Sequence, residues 1–226
     1  MRILIWIGGF IVNKLLKWAT EIDSIAQAGL TYSKDVYDID RFNQLKSIAA
    51  DIISESTNLE LHKVKEVLLE ESGYLTPKVD VRAAIIKENK ILLVKEKLDG
   101  TWSLPGGWAD INLSVAENIK KESYEEAGAK VEPKSIIAIL DRNKHNKPLM
   151  VQSIYKIFVL CDLLDINFNE NVETEKFGFF ELNSLPNLSL TRNTKEQIEM
   201  CFEAYDNPSF KPKFDWFFII LKAIIF

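Results

Sequence analysis

The chain has 226 residues, 47% of them hydrophobic and 27% charged, enough for one sizeable core plus a small annex. Nine glycines and seven prolines exclude a collagen-like or linker-dominated chain, and two cysteines cannot build a disulfide framework. The net charge of −5 argues against a general nucleic-acid coat and suits a site that gathers divalent cations.

Residues 3–12 form an apolar run, and residues 216–226 form another, broken by Lys222. Neither reaches the ~18–20 residues that cross a bilayer, so membrane contact falls to these two ends alone. Arg2 precedes the first run, but no small-x-small cleavage site follows it, which argues against a secretory leader. With Cys161 and Cys201 as ordinary thiols, a cytoplasmic setting is expected.

Residues 13–72 read as helical. Leu15, Leu16, Ala19, Ile22, Ile25 and Ala26 recur at helical spacing, with Gly29 as a stop. Apolar stripes over 40–54 and 59–69 add two more helices. The expected division is a helical domain over 1–74, a second domain over 77–215 and an apolar tail over 216–226. Strand-like texture begins after Pro77, with 79–86 and 91–94 flanking a Glu88-Asn89 turn. Residues 135–140, 153–161 and 177–180 are further strand candidates, and 194–205 reads as a closing helix. The mixture predicts an α+β fold or a three-layer sheet-and-helix sandwich.

One helix, 115–127, is well punctuated. Ser114-Val115-Ala116-Glu117 forms a capping box, and Gly128 stands where a left-handed residue ends a helix. At ~100° per residue, Glu125 and Glu126 lie near −60° and +40° of Glu122, within an arc of roughly 100°. Such a cluster is either a solvated acidic face or a seat for a hard divalent cation. Lys121 is placed to pair with Glu125. Ahead of the helix, Leu104-Pro105-Gly106-Gly107-Trp108 allows tight curvature close to a ligand.

The frame from Gly107 to Ala129 resembles the Nudix box: Gly, five residues, Glu, seven residues, then Arg-Glu-apolar-x-Glu-Glu-x-Gly-apolar. Gly107, Glu122, Glu125, Glu126 and Gly128 match without a gap. Lys121 replaces Arg, Ser123 replaces an apolar residue, and Leu113 stands where the first Glu is expected. Residues 80–94 and 102–110 are similar to ADP-ribose pyrophosphatase-like members. Residues 25–42 resemble the helical domain that precedes a CDP-choline pyrophosphatase-like subgroup, and segments 141–148 and 192–198 extend the likeness.

The resemblance implies a Nudix α/β/α sandwich with a mixed sheet, behind a small all-helical domain that dimerises. It implies hydrolysis of the pyrophosphate bond of a nucleoside diphosphate joined to another moiety, of the CDP-choline or ADP-ribose type. Mg²⁺ or Mn²⁺ would sit on Glu122, Glu125 and Glu126, with Glu126 also able to orient the water. Glu173 and Glu175 are alternative bases, or a solvated acidic loop. Arg82, Gly106, Gly107, Arg142, His145 and Arg192 are the candidates for substrate contact, the charged ones equally readable as structural partners. Trp108 and Tyr32 are either stacking platforms or buried aromatics. Two other readings stay open: a nucleotide-sensing module without turnover, motivated by Leu113, and RNA-end processing, disfavoured by the acidic balance. No DNA partner is expected.

Overall fold

In a computed structural model, the described residues are 2–57, 60–69 and 73–215. The apolar run 216–226 lies outside them, as does the start of the expected 59–69 stripe. The chain divides into two compact units, Met1–Thr76 and Pro77–Phe226.

The first unit is helical: α1 (Arg2–Tyr32), α2 (Val36–Thr57) and α3 (Leu61–Leu69). Helix α1 runs on through Gly29, against the expected stop. The bare face of Gly29 instead receives the Phe42 ring, whose atoms come within 2.4 Å of where a Cβ would stand. Helix α2 starts earlier than the apolar stripe implies, because Asp35 Oδ1 accepts from the Tyr37 and Asp38 amides. Ala19, Ala26, Ala49, Ala50 and Ile53 are fully or almost fully buried, so small residues let the helices approach closely. Lys46 is buried among them, donating to Gln27 Oε1 at 2.6 Å and Leu68 O at 3.1 Å, with Asp23 as counter-ion at 3.3 Å.

The second unit contains β1 (Lys78–Lys87), β2 (Lys90–Glu96), β3 (Trp102–Ser103), α4 (Val115–Ala127), β4 (Ala129–Asp141) and the short α5 (Arg142–His145). Strands β5 (Ile154–Ile166) and β6 (Thr174–Phe180), helix α6 (Lys195–Asp206) and strand β7 (Lys213–Phe214) complete it. The sheet order is β3-β2-β1-β5-β4-β7, with β6 on β2. It is mixed: β1–β5 and β4–β7 are parallel, and the remaining pairs antiparallel. Alternation along β1 decides the layers. Val81, Ala83 and Ile85 pack with Ile119 and Ala127 of α4. Ala84 and Ile86 pack with Ile198, Met200 and Phe202 of α6. The three-layer sandwich is therefore what forms.

Strand β4 begins at Ala129, well before the expected 135, and passes through Pro133. Proline has no N–H for a ladder, and the β4–β5 register shifts between Pro133 and Ser135 to accommodate it. Cys161 and Cys201 are free and buried.

Helix α4 carries its capping box as the sequence predicts, with Glu117 Oε2 accepting from Ser114 N at 2.7 Å. Gly128 has φ 62° at the other end, against the Asn167 carbonyl. Ser123, at the apolar position of the box, is fully buried and its hydroxyl has no partner. A buried unmet hydroxyl costs about 1–3 kcal/mol. Ser123→Ala is expected to raise the unfolding free energy by about 1 kcal/mol in urea titration; a loss of stability contradicts this reading.

Candidate active site

The site is built where β1 meets the turn after β3. Backbone bonds run from Ala83 N to Pro105 O (2.8 Å), Val81 N to Gly107 O (2.9 Å) and Ala109 N to Val79 O (2.9 Å). Gly106 has φ 140°, and a Cβ there would stand 1.9 Å from Val81 O, so no other residue fits without displacing β1. Leu104 is tied at both ends: its amide donates to Asn193 Oδ1 at 2.8 Å, and its carbonyl accepts from Arg82 Nη1 at 3.1 Å.

The turn is then fastened to α4. Gly106 N donates to Glu126 Oε2 at 2.8 Å, and Glu126 is only 6% exposed. Burial pushes the Glu126 carboxyl up to about 8, against the pull of Arg82 and the Gly106 amide, with Glu96 and Glu122 adding to the rise. Glu122, largely buried, is also raised, first by burial and then by Glu125, against Lys121. Its Oε2 would stand 2.9 Å from a Cβ on Gly107, so the glycine leaves that oxygen room. Glu125 is exposed.

Lys121 answers part of this charge. Its Nζ lies 2.8 Å from Glu125 Oε2, 3.4 Å from Glu122 Oε1 and 3.2 Å from Asp110 Oδ2. Among the described residues no three acidic, His or Cys side chains form a preassembled cation cage. The donor set nevertheless fits a hard cation. Oxygen ligands crowd one helix face, Glu122 and Glu126 are desolvated, and the ammonium that reaches Glu122 and Glu125 is itself partly exposed and so loosely bound.

Several supports were not legible as motifs. Asn118, buried on α4, accepts from Asp110 N at 2.7 Å and donates to Leu113 O at 3.2 Å and Ser114 O at 3.1 Å. It closes the loop in which Leu113 replaces the expected Glu; a polar residue beside buried Ile119 is its only signal. Asn171 donates to Glu125 O at 2.7 Å and Thr174 Oγ1 donates to Glu126 O at 2.7 Å, which satisfies the end of the helix.

The other candidates are dispersed. Arg82 is buried, with Nε and Nη2 donating to Asp80 Oδ1 and Oδ2 at 2.9 and 2.8 Å. Arg192 Nε lies 3.2 Å from buried Glu96. Glu175 pairs with Lys95 at 2.7 Å, which holds its carboxyl below the usual range, and Glu173 is exposed. His145 Nε2 lies 2.7 Å from Asp215 Oδ1, just beyond β7. Arg142, at the start of α5, is buried with its Nη1 donating to Pro148 O, and Trp108 and Tyr32 are both exposed.

A mixed sheet between two helices, with a glycine turn bonded to an acidic helix, defines the Nudix class of fold. Residues 76–201 match the NUDIX domain family, and residues 13–68 match the family described as UDP-X-like, N-terminal oligomerisation domain. The Bacillus subtilis (strain 168) protein that bears the name "Putative ADP-ribose pyrophosphatase YjhB" is 43% identical over 90% of this chain and 98% of its own length. A solved UDP-X diphosphatase is 36% identical over 90% of this chain and 99% of that one, with TM-score 0.59. An ADP-ribose pyrophosphatase from Streptococcus suis 89-1591 is 49% identical over 62% of this chain and 100% of that one, with TM-score 0.58. The chain belongs to the Nudix hydrolase family.

In metal-free protein the folded Glu126 carboxyl titrates near 8, against an ordinary 4.5. The folded state thus binds the proton more tightly, so this contribution to stability is complete below pH 4.5 and is lost as pH rises towards 8. Lys156, pushed down to about 7, acts with opposite sign and only above that pH. Chelator-treated protein should lose stability between pH 5 and 7 in urea unfolding, and Glu126→Gln should flatten that loss. An unchanged slope in the variant contradicts the assignment.

Proposed function

We propose that the protein hydrolyses the pyrophosphate bond of a nucleoside diphosphate joined to another moiety, releasing a nucleoside monophosphate. Conjugates of the ADP-ribose or UDP-X type, which the names of the relatives carry, and of the CDP-choline type, which the resemblance of residues 25–42 implies, are the substrate class. The observation that carries the reading is the bond from Gly106 N to buried Glu126, in register with Glu122 and Glu125 on the same helix face.

In this reading Glu122, Glu125 and Glu126 hold Mg²⁺ or Mn²⁺. The bound cation supplies neutralisation of the diphosphate charge and a more acidic water. The remaining work falls to the chain itself. Glu126 Oε2 is committed to the Gly106 amide, so Oε1 is the oxygen that takes a proton from, or orients, the attacking water. Lys121 must leave Glu122 and Glu125 for the cation to enter; a flexible ammonium on an exposed stem can do so at small cost. Arg82, anchored by Asp80, keeps the Leu104 carbonyl and hence the turn in place. Glu173 is the second candidate base, with its carboxylate exposed two residues beyond the Asn171 cap.

A second reading, nucleotide sensing without turnover, has its own motive in Leu113 and in Lys121 seated among the acids. Purified protein with Mg²⁺ or Mn²⁺ is tested on a panel of nucleotide conjugates, with product identification. The expected outcome is monophosphate release that Glu126→Gln lowers by about two orders of magnitude or more in kcat/KM. Tight conjugate binding with no release selects the sensing reading instead.

The helical unit is proposed to make a cytoplasmic homodimer. Trp18 and Ile25 of α1 and Val36 and Tyr37 of α2 are apolar or aromatic and more than half exposed, as a surface awaiting a second copy would be. Ile25→Asp should halve the mass measured by light scattering; an unchanged dimer mass counts against this surface. Among the described residues no helix is long and apolar enough to cross a membrane.

A further inference from the structure

Away from the acidic helix face, a second group of ionisable side chains is buried at one end of the sheet. Asp80 in β1 and Lys156 in β5 are register partners, and Leu140 of β4 continues the same cross-strand row. Arg142 follows two residues beyond Leu140, at the start of α5. Lys156 and Arg142 are each only 2% exposed.

These groups do not balance. Asp80 is already held by both arms of Arg82, and it also accepts from Lys156 Nζ at 2.9 Å. Asp80 is the partner of Lys156 among the described residues, and an ammonium has three donors to satisfy. Arg142 Nη1 donates to Pro148 O and Asn143 Oδ1, but its Nη2 is buried with no partner. The charged groups facing Lys156 are Asp80 and Arg82 from β1 and Arg142 from α5, three cations around one carboxylate. Glu96 and Glu126 act on the far side of this cluster, on Arg82. Buried charge without a counter-ion is costly, and the imbalance is relieved either by loss of a proton or by an anion. Burial, then Arg82, already weakens the hold of Lys156 on its proton.

We infer that Lys156 and Arg142 form an inner anion subsite that takes the oxygens of a phosphoryl group, with Asp80 and Arg82 as its fixed frame. A guanidinium supplies a fork of donors and an ammonium a compact point charge, and both bind phosphoryl oxygens. Arg82 joins the subsite to the Gly106 turn, because its Nη1 holds the carbonyl of Leu104, two residues ahead of Gly106. The subsite therefore belongs to the nucleotide conjugate or its monophosphate product. In this it rests on the hydrolase reading above.

The test uses the full chain in chelator, with inorganic phosphate and a nucleoside monophosphate as probes, followed by steady-state kinetics with cation. Both probes should raise the unfolding midpoint of the wild type. Lys156→Met and Arg142→Met should need at least tenfold more of either probe for the same rise. Their unliganded midpoints should not fall, since Lys156 only shares the carboxylate that Arg82 already holds, Arg142 has a buried donor without a partner, and the Arg82–Asp80 pair remains in both variants. Lys156→Gln and Arg142→Gln serve the same comparison if a methionine variant does not fold. In turnover, KM for the conjugate should rise at least tenfold with kcat within threefold. Equal protection of variants and wild type, or no protection of the wild type, overturns the subsite. Lost phosphate protection with unchanged KM marks a site for free phosphate and overturns its assignment to the substrate. Absence of all turnover in the wild type condemns the hydrolase reading alone, because the protection measurement still decides the subsite.

Discussion

One hydrogen bond, from the Gly106 amide to Glu126 Oε2, joins the two halves of the site. On one side is a turn laid along β1 so tightly that a Cβ at Gly106 would enter the Val81 carbonyl. On the other is a helix whose two ends are fixed separately, by the Ser114–Glu117 box and by Gly128 with Asn171 and Thr174. Neither half alone places a carboxylate beside a glycine turn. The joint brings them together where Glu126 is buried, and that burial makes the acid reluctant to ionise, although the Gly106 amide itself favours the carboxylate.

Burial leaves the carboxylates of this helix face unevenly compensated. Glu122 and Glu126 are desolvated and feel buried Arg82, Glu125 is exposed, and Lys121 reaches back to Glu122, Glu125 and Asp110. A lysine at this position differs from an arginine in kind. It is a point charge on a flexible stem, able to withdraw from the carboxylates without breaking a fork. The replacement of the expected first Glu by Leu113 costs the loop little, because Asn118 already holds the Asp110 amide and the Leu113 and Ser114 carbonyls.

The parts legible in the sequence are those set by local spacing. The capping box, the left-handed Gly128, the Gly106-Gly107 turn and the shared arc of three glutamates all fall within one unbroken frame, where distance along the chain maps onto distance in space. What escaped is long-range or negative in character. Asp80 meets Lys156 across 76 residues, and His145 meets Asp215 across 70. No period or motif encodes such a meeting. The part of strand β4 before residue 135 was hidden by Pro133, which normally argues against a strand and is carried here at a register shift. Gly29 read as a helix stop, yet it serves a ring that only packing brings to it. The roles of Arg82, Arg142 and Arg192 could not be separated by sequence, because each depends on which acid lies across the fold.

In the proposed enzyme Glu122, Glu125 and Glu126 act together as a cation seat closed by the Gly106 turn. Mn²⁺ binding to the full chain, followed by electron paramagnetic resonance as free Mn²⁺ disappears, addresses it without any substrate. Saturable binding is expected in the wild type, weakened by about tenfold or more in both Glu122→Gln and Glu126→Gln. Binding that is absent in the wild type, or that both variants leave unchanged, would contradict it.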